Sequence, residues 1–118
     1  MERELIALAL QAAHPAHAGW KQLGRQLIDD VEIDFVFFKK GQTPVAVLLM
    51  DMPYVSGSDL RLAKHIQDLY QQKMNGRQVK MMMVYKDLIF RPQCTPKGIY
   101  IMSITEDTEV ASNATGLN

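Results

Sequence analysis

The chain has 118 residues, 47% of them hydrophobic and 22% charged, with 13 basic and 13 acidic side chains. That length suits one domain with one core, and the balanced charge excludes the bulk pull on nucleic acid that a strongly basic domain exerts, though not a local basic face. A single cysteine, Cys94, excludes an intramolecular disulfide and a Cys-rich zinc site; no stretch approaches the roughly 20 apolar residues of a membrane span, and Met1-Glu2-Arg3-Glu4 lacks the basic lead-in and apolar run of a signal peptide, so a cytoplasmic location is expected.

In chain order, Glu2 to about Ala13 reads as a helix, because Leu5, Leu8, Ala9 and Ala12 recur at helical spacing and Ile6, Leu10 and Ala13 widen the apolar face. His14-Pro15 interrupts it, since proline disfavours a helical residue before it. A second short helical piece is expected over 16–27, with Trp20, Leu23 and Leu27 along one side. Val31–Phe38 alternates as a strand, Val31, Ile33, Phe35 and Phe37 to one face and Glu32, Asp34, Val36 and Phe38 to the other. Lys39-Lys40-Gly41-Gln42 is a turn, and Pro44–Met52, almost wholly apolar, is a second strand covered on both faces. So short a connection makes the two strands an antiparallel hairpin.

Pro53–Gly57 is a loop, and Ser58 caps a helix that runs to about Met74, with Leu62, Ile66, Leu69 and Tyr70 as its buried stripe. Asn75-Gly76 ends it. Val79–Tyr85 is a third strand, and Leu88–Phe90 and Ile99–Ser103 are short ones beyond. The helix between the second and third strands allows a crossover that sets those strands parallel, with the right-handed sense such crossovers take. The fold class is therefore α/β: an αββαβ core, a mixed sheet flanked by helices, and a small C-terminal β extension. One domain is expected over residues 1–104. Residues 105–118 are small, polar and aperiodic and are expected to be a disordered tail.

That element order, with an acidic residue in the first strand, resembles the restriction-endonuclease-like, or PD-(D/E)xK, superfamily, and within it a bacterial domain of unknown function, the DUF2726 type. The resemblance rests on Ile33-Asp34-Phe35-Val36 in the first strand and Pro44-Val45-Ala46-Val47-Leu48-Leu49-Met50-Asp51 in the second. It implies carboxylates converging on a hard divalent cation, usually Mg²⁺, which polarises a phosphate and activates a water. The first acidic position falls on Asp34 and the last polar one on Asp51, so these two are the candidate metal ligands and catalytic residues. The central glutamate falls on Leu49, which cannot bind a metal, and a one-residue shift puts Leu48 and Met50 at the last two positions instead. The resemblance thus implies a catalytically degenerate nuclease fold, an accessory or interaction module in bacterial or mobile-element DNA metabolism. The alternatives are an active Mg²⁺-dependent nuclease, with Glu4 or Glu32 replacing the missing ligand, and a protein-interaction or assembly domain with no nucleic-acid role.

Outside the strand pair, Arg61, Lys64, Lys73, Arg77 and Lys80 form the densest basic stretch. Arg61, Lys64, Arg77 and Lys80 are the candidate DNA contacts, weighed against an ordinary solvated helix face. His14 and His17 lack a third ligand, and nothing beside Cys94 marks it as activated. The eight methionines are core fillers in the first place. Exposure of Met52, Pro53, Tyr54 and Val55 would instead make a patch for a protein partner or a second copy in a homodimer.

Overall fold

The computed structural model describes residues 3–50 and 52–104. Helix α1 (Arg3–Ala13) leads through a 3₁₀ turn (Ala16–Ala18) to strands β1 (Lys21–Leu23), β2 (Gln26–Ile28), β3 (Val31–Ile33), β4 (Phe35–Phe38) and β5 (Val45–Met50). Helix α2 (Gly57–Lys73) and strands β6 (Lys80–Lys86) and β7 (Ile99–Ile104) complete the order. Five strands form one sheet in the order β1-β4-β5-β6-β7, and β2 and β3 form a separate ribbon. The pairings β1–β4 and β4–β5 are antiparallel, and β5–β6 and β6–β7 are parallel. The αββαβ core is thus α1, β4, β5, α2 and β6, and β7 extends its parallel half. No helix among the described residues is long and apolar enough to cross a membrane.

β5 lies at the centre because both of its faces are apolar. Val45 and Val47 meet Ile6 and Leu10 of α1, Phe35, Phe37, Val84 and Ile104 on one side. Ala46 and Leu48 meet Ala63 and Ile66 of α2, Met81, Met83, Tyr85 and Ile99 on the other. Two helices therefore sandwich the sheet, each laying an apolar stripe on one face. The three consecutive methionines of β6 follow the pleat: Met81 and Met83 are fully buried toward α2, and Met82 packs toward α1.

Helix α2 begins at Ser56 rather than Ser58. The Ser56 hydroxyl accepts from Asp59 N–H at 3.0 Å and the Asp59 carboxylate accepts from Ser56 N–H at 3.2 Å, a reciprocal capping box that Ser58 could not close. Its buried positions are Ala63, Ile66 and Gln67, while Leu62 is exposed. Gln67 is held by donating to Val79 O at 2.9 Å and accepting from Lys64 Nζ at 3.4 Å. Gly98 makes this contact feasible: its φ is +80°, and a Cβ there would stand 2.6 Å from Gln67 Nε2.

Residues 16–27 are not a helix. Gly19, at φ +98°, ends the 3₁₀ turn in the left-handed region, and 21–23 then pair with the free edge of β4. Trp20 packs toward α1, but Leu23 and Leu27 are exposed, so the helical spacing of these three marks no common buried face. The expected strand 31–38 breaks at Asp34: β3 turns away to pair with β2, joined through Asp29 and Asp30 at φ +48° and +66°. Two successive left-handed residues make the tight I′-like reversal of a two-residue hairpin. Ile33 therefore faces α2 while Phe35 faces α1, and the alternation predicted across Asp34 does not hold. Leu88–Phe90 reduces to one parallel bridge, Tyr54 with Phe90. The tail 105–118 lies outside the described residues.

Candidate functional site at the ends of β4 and β5

Asp34 stands where the chain leaves the sheet. Its backbone N–H still donates to Val47 O at 3.0 Å, and its carboxylate accepts from Leu49 N–H at 2.8 Å. The side chain thus satisfies an amide that a continuing strand would have satisfied with a carbonyl. Leu49 packs toward α1 beside Val47, presenting hydrocarbon where the resemblance expects a carboxylate. Asp51 lies outside the described residues. Glu4, in the first turn of α1, is exposed. Glu32 is on the β2–β3 ribbon, paired with Arg25 at 2.7 Å. Among the described residues no three His, Cys, Asp or Glu side chains gather as a metal site. A hard cation needs several oxygen ligands. Asp34 brings one carboxylate that is already bonded and Leu49 brings none, so the described donors do not fit Mg²⁺.

Replacing Asp34 with alanine is therefore expected to lower stability rather than a chemical rate. Leaving the half-buried Leu49 N–H without its acceptor costs about 1–3 kcal/mol. Asp34→Asn keeps a carbonyl oxygen at that place and should lose less. Urea unfolding midpoints at constant slope measure both.

Two further features of this end were not legible beforehand. Lys86 closes β6 half-buried, at the same strand parity as Met82 and Val84, which face α1. Tyr85, fully buried on the α2 side, donates its hydroxyl to the Asp59 carboxylate at 3.0 Å. Burial first, and then the Asp59 hydrogen bond and charge, push the Tyr85 phenol well above its ordinary range. Strand parity counted from Val84 would have found Lys86; only the three-dimensional contact reveals the Tyr85–Asp59 link.

The candidate DNA contacts are spread over α2, the connection that follows it and the start of β6. Arg61 is exposed on α2 and donates to Ser58 Oγ at 3.1 Å. Lys64 pairs with Asp68 at 3.3 Å across one turn, both side chains half-exposed, a pairing worth only a few tenths of a kcal/mol. Lys64 and Lys80 line a polar cleft with Lys97, Gln67, Gln71 and Gln78. Lys80 Nζ lies 5.8 Å from the centre of the Tyr100 ring. Arg77 lines a different pocket, with Lys21, Lys39 and Lys40. Both openings lie at the end of the parallel strands opposite Asp34. His14 is half-buried against the core: Nδ1 lies 2.9 Å from Leu10 O, and the ring stacks on Phe37. Cys94 is exposed in the β6–β7 connection. Met52, Tyr54, Ile89 and Phe90 are exposed beside the Tyr54–Phe90 bridge.

No family model and no curated protein matches the chain. Among solved structures, it is similar to a repair endonuclease from Pyrococcus abyssi, with a TM-score of 0.53 and 18% identity over 89% of this chain and 48% of that one. It is also similar to the EndoMS–dsDNA2 complex, with a TM-score of 0.54 and 15% identity over 84% of this chain and 43% of that one. The chain spans less than half the length of either. At these identities the likeness concerns the fold, and the fold is restriction-endonuclease-like: a mixed five-stranded sheet flanked by helices.

Proposed function

We propose that this domain is a catalytically degenerate nuclease fold that binds nucleic acid without cutting it, an accessory module in bacterial or mobile-element DNA metabolism. The observation that carries the reading is Leu49, a hydrocarbon packed toward α1 at the position of the central carboxylate, with its own N–H bonded by Asp34. A site organised this way has turned its first acidic residue into a backbone anchor. The DUF2726-type strand pair and the DNA-bound state of one structural neighbour support a nucleic-acid context, and the cleft of Lys64, Lys80 and Lys97 supplies cations for phosphate contacts.

Fluorescence anisotropy with duplex DNA tests the binding half of this reading. Affinity should fall as salt rises, and Lys64→Ala with Lys80→Ala should flatten the slope of log affinity against log salt by about one per cation removed. Absence of duplex binding at low salt would contradict it. A second reading, a protein-interaction or homodimerisation domain, is favoured by the exposed cluster of Met52, Tyr54, Ile89 and Phe90, since contiguous exposed apolar surface commonly marks an interface. Concentration-dependent mass in the sample that fails to bind DNA would select it.

A further inference from the structure

We infer that the pocket at the β4–β5 turn is a second binding site, built for a nucleotide: phosphate against its cationic wall and base against its apolar wall. The pocket measures about 520 Å³, within the range of small-ligand clefts. Lys21, Lys39, Lys40 and Arg77 contribute four cations to its lining, and none of its described lining residues is a carboxylate. In a chain with as many acidic as basic side chains, that segregation concentrates positive potential in one concavity.

Apart from Gly19, Gly41 and Gln42, the remainder of the lining is apolar or aromatic. Val36, Phe38, Pro44, Tyr70 and Met74 line it, from the α2 side of the sheet and from α2 itself. An inorganic anion would need only the lysines. A pocket that joins four cations to Phe38 and Tyr70 suits a ligand with an anionic end and a flat π-face, and base–aromatic stacking adds about 1–3 kcal/mol for each base.

Neighbouring structure places the Lys39 side chain and the Arg77 backbone at this pocket. The Lys39 stem lies across Gly19, whose built Cβ would stand 3.4 Å from Lys39 Cε. Arg77 follows directly on the Asn75–Gly76 stop of α2, where Arg77 N–H donates to Met74 O at 3.2 Å. The site is also distinct from the Asp34 end. Asp34 precedes β4 and Lys39 follows it, a separation of about 16 Å along a strand. It goes beyond the proposed duplex contacts, which use the Lys64–Lys80 cleft.

A nucleotide could reach this pocket free in solution or as an unpaired residue of a strand. Anisotropy of a labelled oligothymidylate, competed with thymidine monophosphate and separately with inorganic tripolyphosphate, separates these. Lys40→Glu combined with Arg77→Glu should weaken the oligonucleotide at least about tenfold, and Phe38→Leu should weaken the oligonucleotide but not tripolyphosphate. Arg91→Ala, in the β6–β7 connection and outside the lining of both cation-lined openings, is the control and should leave both unchanged. Competition by the monophosphate at comparable concentration identifies a free-nucleotide site, and its failure to compete identifies a strand site; either agrees with the inference. No oligonucleotide binding, binding unmoved by the double reversal, or equal loss in Arg91→Ala would overturn it. Circular dichroism of each variant confirms its fold. Because duplex binding is read on Lys64 and Lys80, the two tests fail independently.

Discussion

Phe37→Ala is expected to cost about 3–5 kcal/mol of folding stability, a large share of the roughly 5–15 kcal/mol of a typical domain. Phe37 is fully buried where α1 meets the sheet. Its ring stacks on His14 with centroids 4.8 Å apart and a 20° tilt, and His14 in turn meets Trp20 edge-on at 4.8 Å. Truncation would open a cavity and free the His14 ring, loosening the C-terminal end of α1 and the 3₁₀ turn that follows. Phe37→Leu refills part of the volume and should lose markedly less. Equilibrium urea unfolding compares the two. A loss below about 1 kcal/mol for the alanine variant would mean that α1 does not pack on β4 as described.

The link between Asp59 and Tyr85 should be nearly as costly to break. Asp59→Ala removes the acceptor in the capping box, worth about 1 kcal/mol, and leaves a buried phenol without its partner, a further 1–3 kcal/mol or so. In a Tyr85→Phe background the second part vanishes, so Asp59→Ala should there cost only about 1 kcal/mol. A double-mutant cycle reads that difference directly. The same link sets a pH dependence. Tyrosine in the unfolded chain ionises near pH 10, and Tyr85 in the folded chain ionises higher. The neutral phenol's contribution is therefore complete below about pH 10 and is lost as pH rises through the folded value. Stability should fall above pH 10, and less steeply in Tyr85→Phe. Additive effects in the cycle would show that the hydroxyl and the carboxylate do not interact.

The elements legible in the sequence were those whose pattern and environment agree. β5 reads as central because it is apolar at every position, and only a strand covered on both faces tolerates that. α2 reads as a helix because Ile66, Leu69 and Tyr70 recur on one side and Asn75-Gly76 ends it. The misreadings arose where local spacing and long-range pairing compete. Trp20, Leu23 and Leu27 fit a helix by spacing, but β4 offers 21–23 an open edge of donors and acceptors, and Gly19 turns the chain toward it. Asp34 sits within an unbroken alternation, yet its side chain can replace a backbone acceptor, which lets the chain leave the sheet in mid-pattern. Leu62 fits the buried stripe by spacing, whereas Ala63 and Gln67 take the inner positions, the glutamine admitted because Gly98 makes room for its amide.

For the candidate site, the identity of Leu49 was readable from the strand pair, and its consequence needed the structure. Only there does the Leu49 N–H meet the Asp34 carboxylate and its side chain join the α1 core. The segregation of Lys21, Lys39, Lys40 and Arg77 was not readable, because these residues come from three separate stretches that only the β1–β4–β5 pairing and the end of α2 bring together.

The most direct test of a binding, non-cutting nuclease fold is a cleavage assay. Single-stranded and duplex DNA would be incubated with the protein and either Mg²⁺ or Mn²⁺, with binding followed by gel shift and strand integrity by denaturing electrophoresis. Shifted, intact DNA is expected with both metals. Metal-dependent cleavage that disappears in a folded Asp34→Asn variant would contradict it.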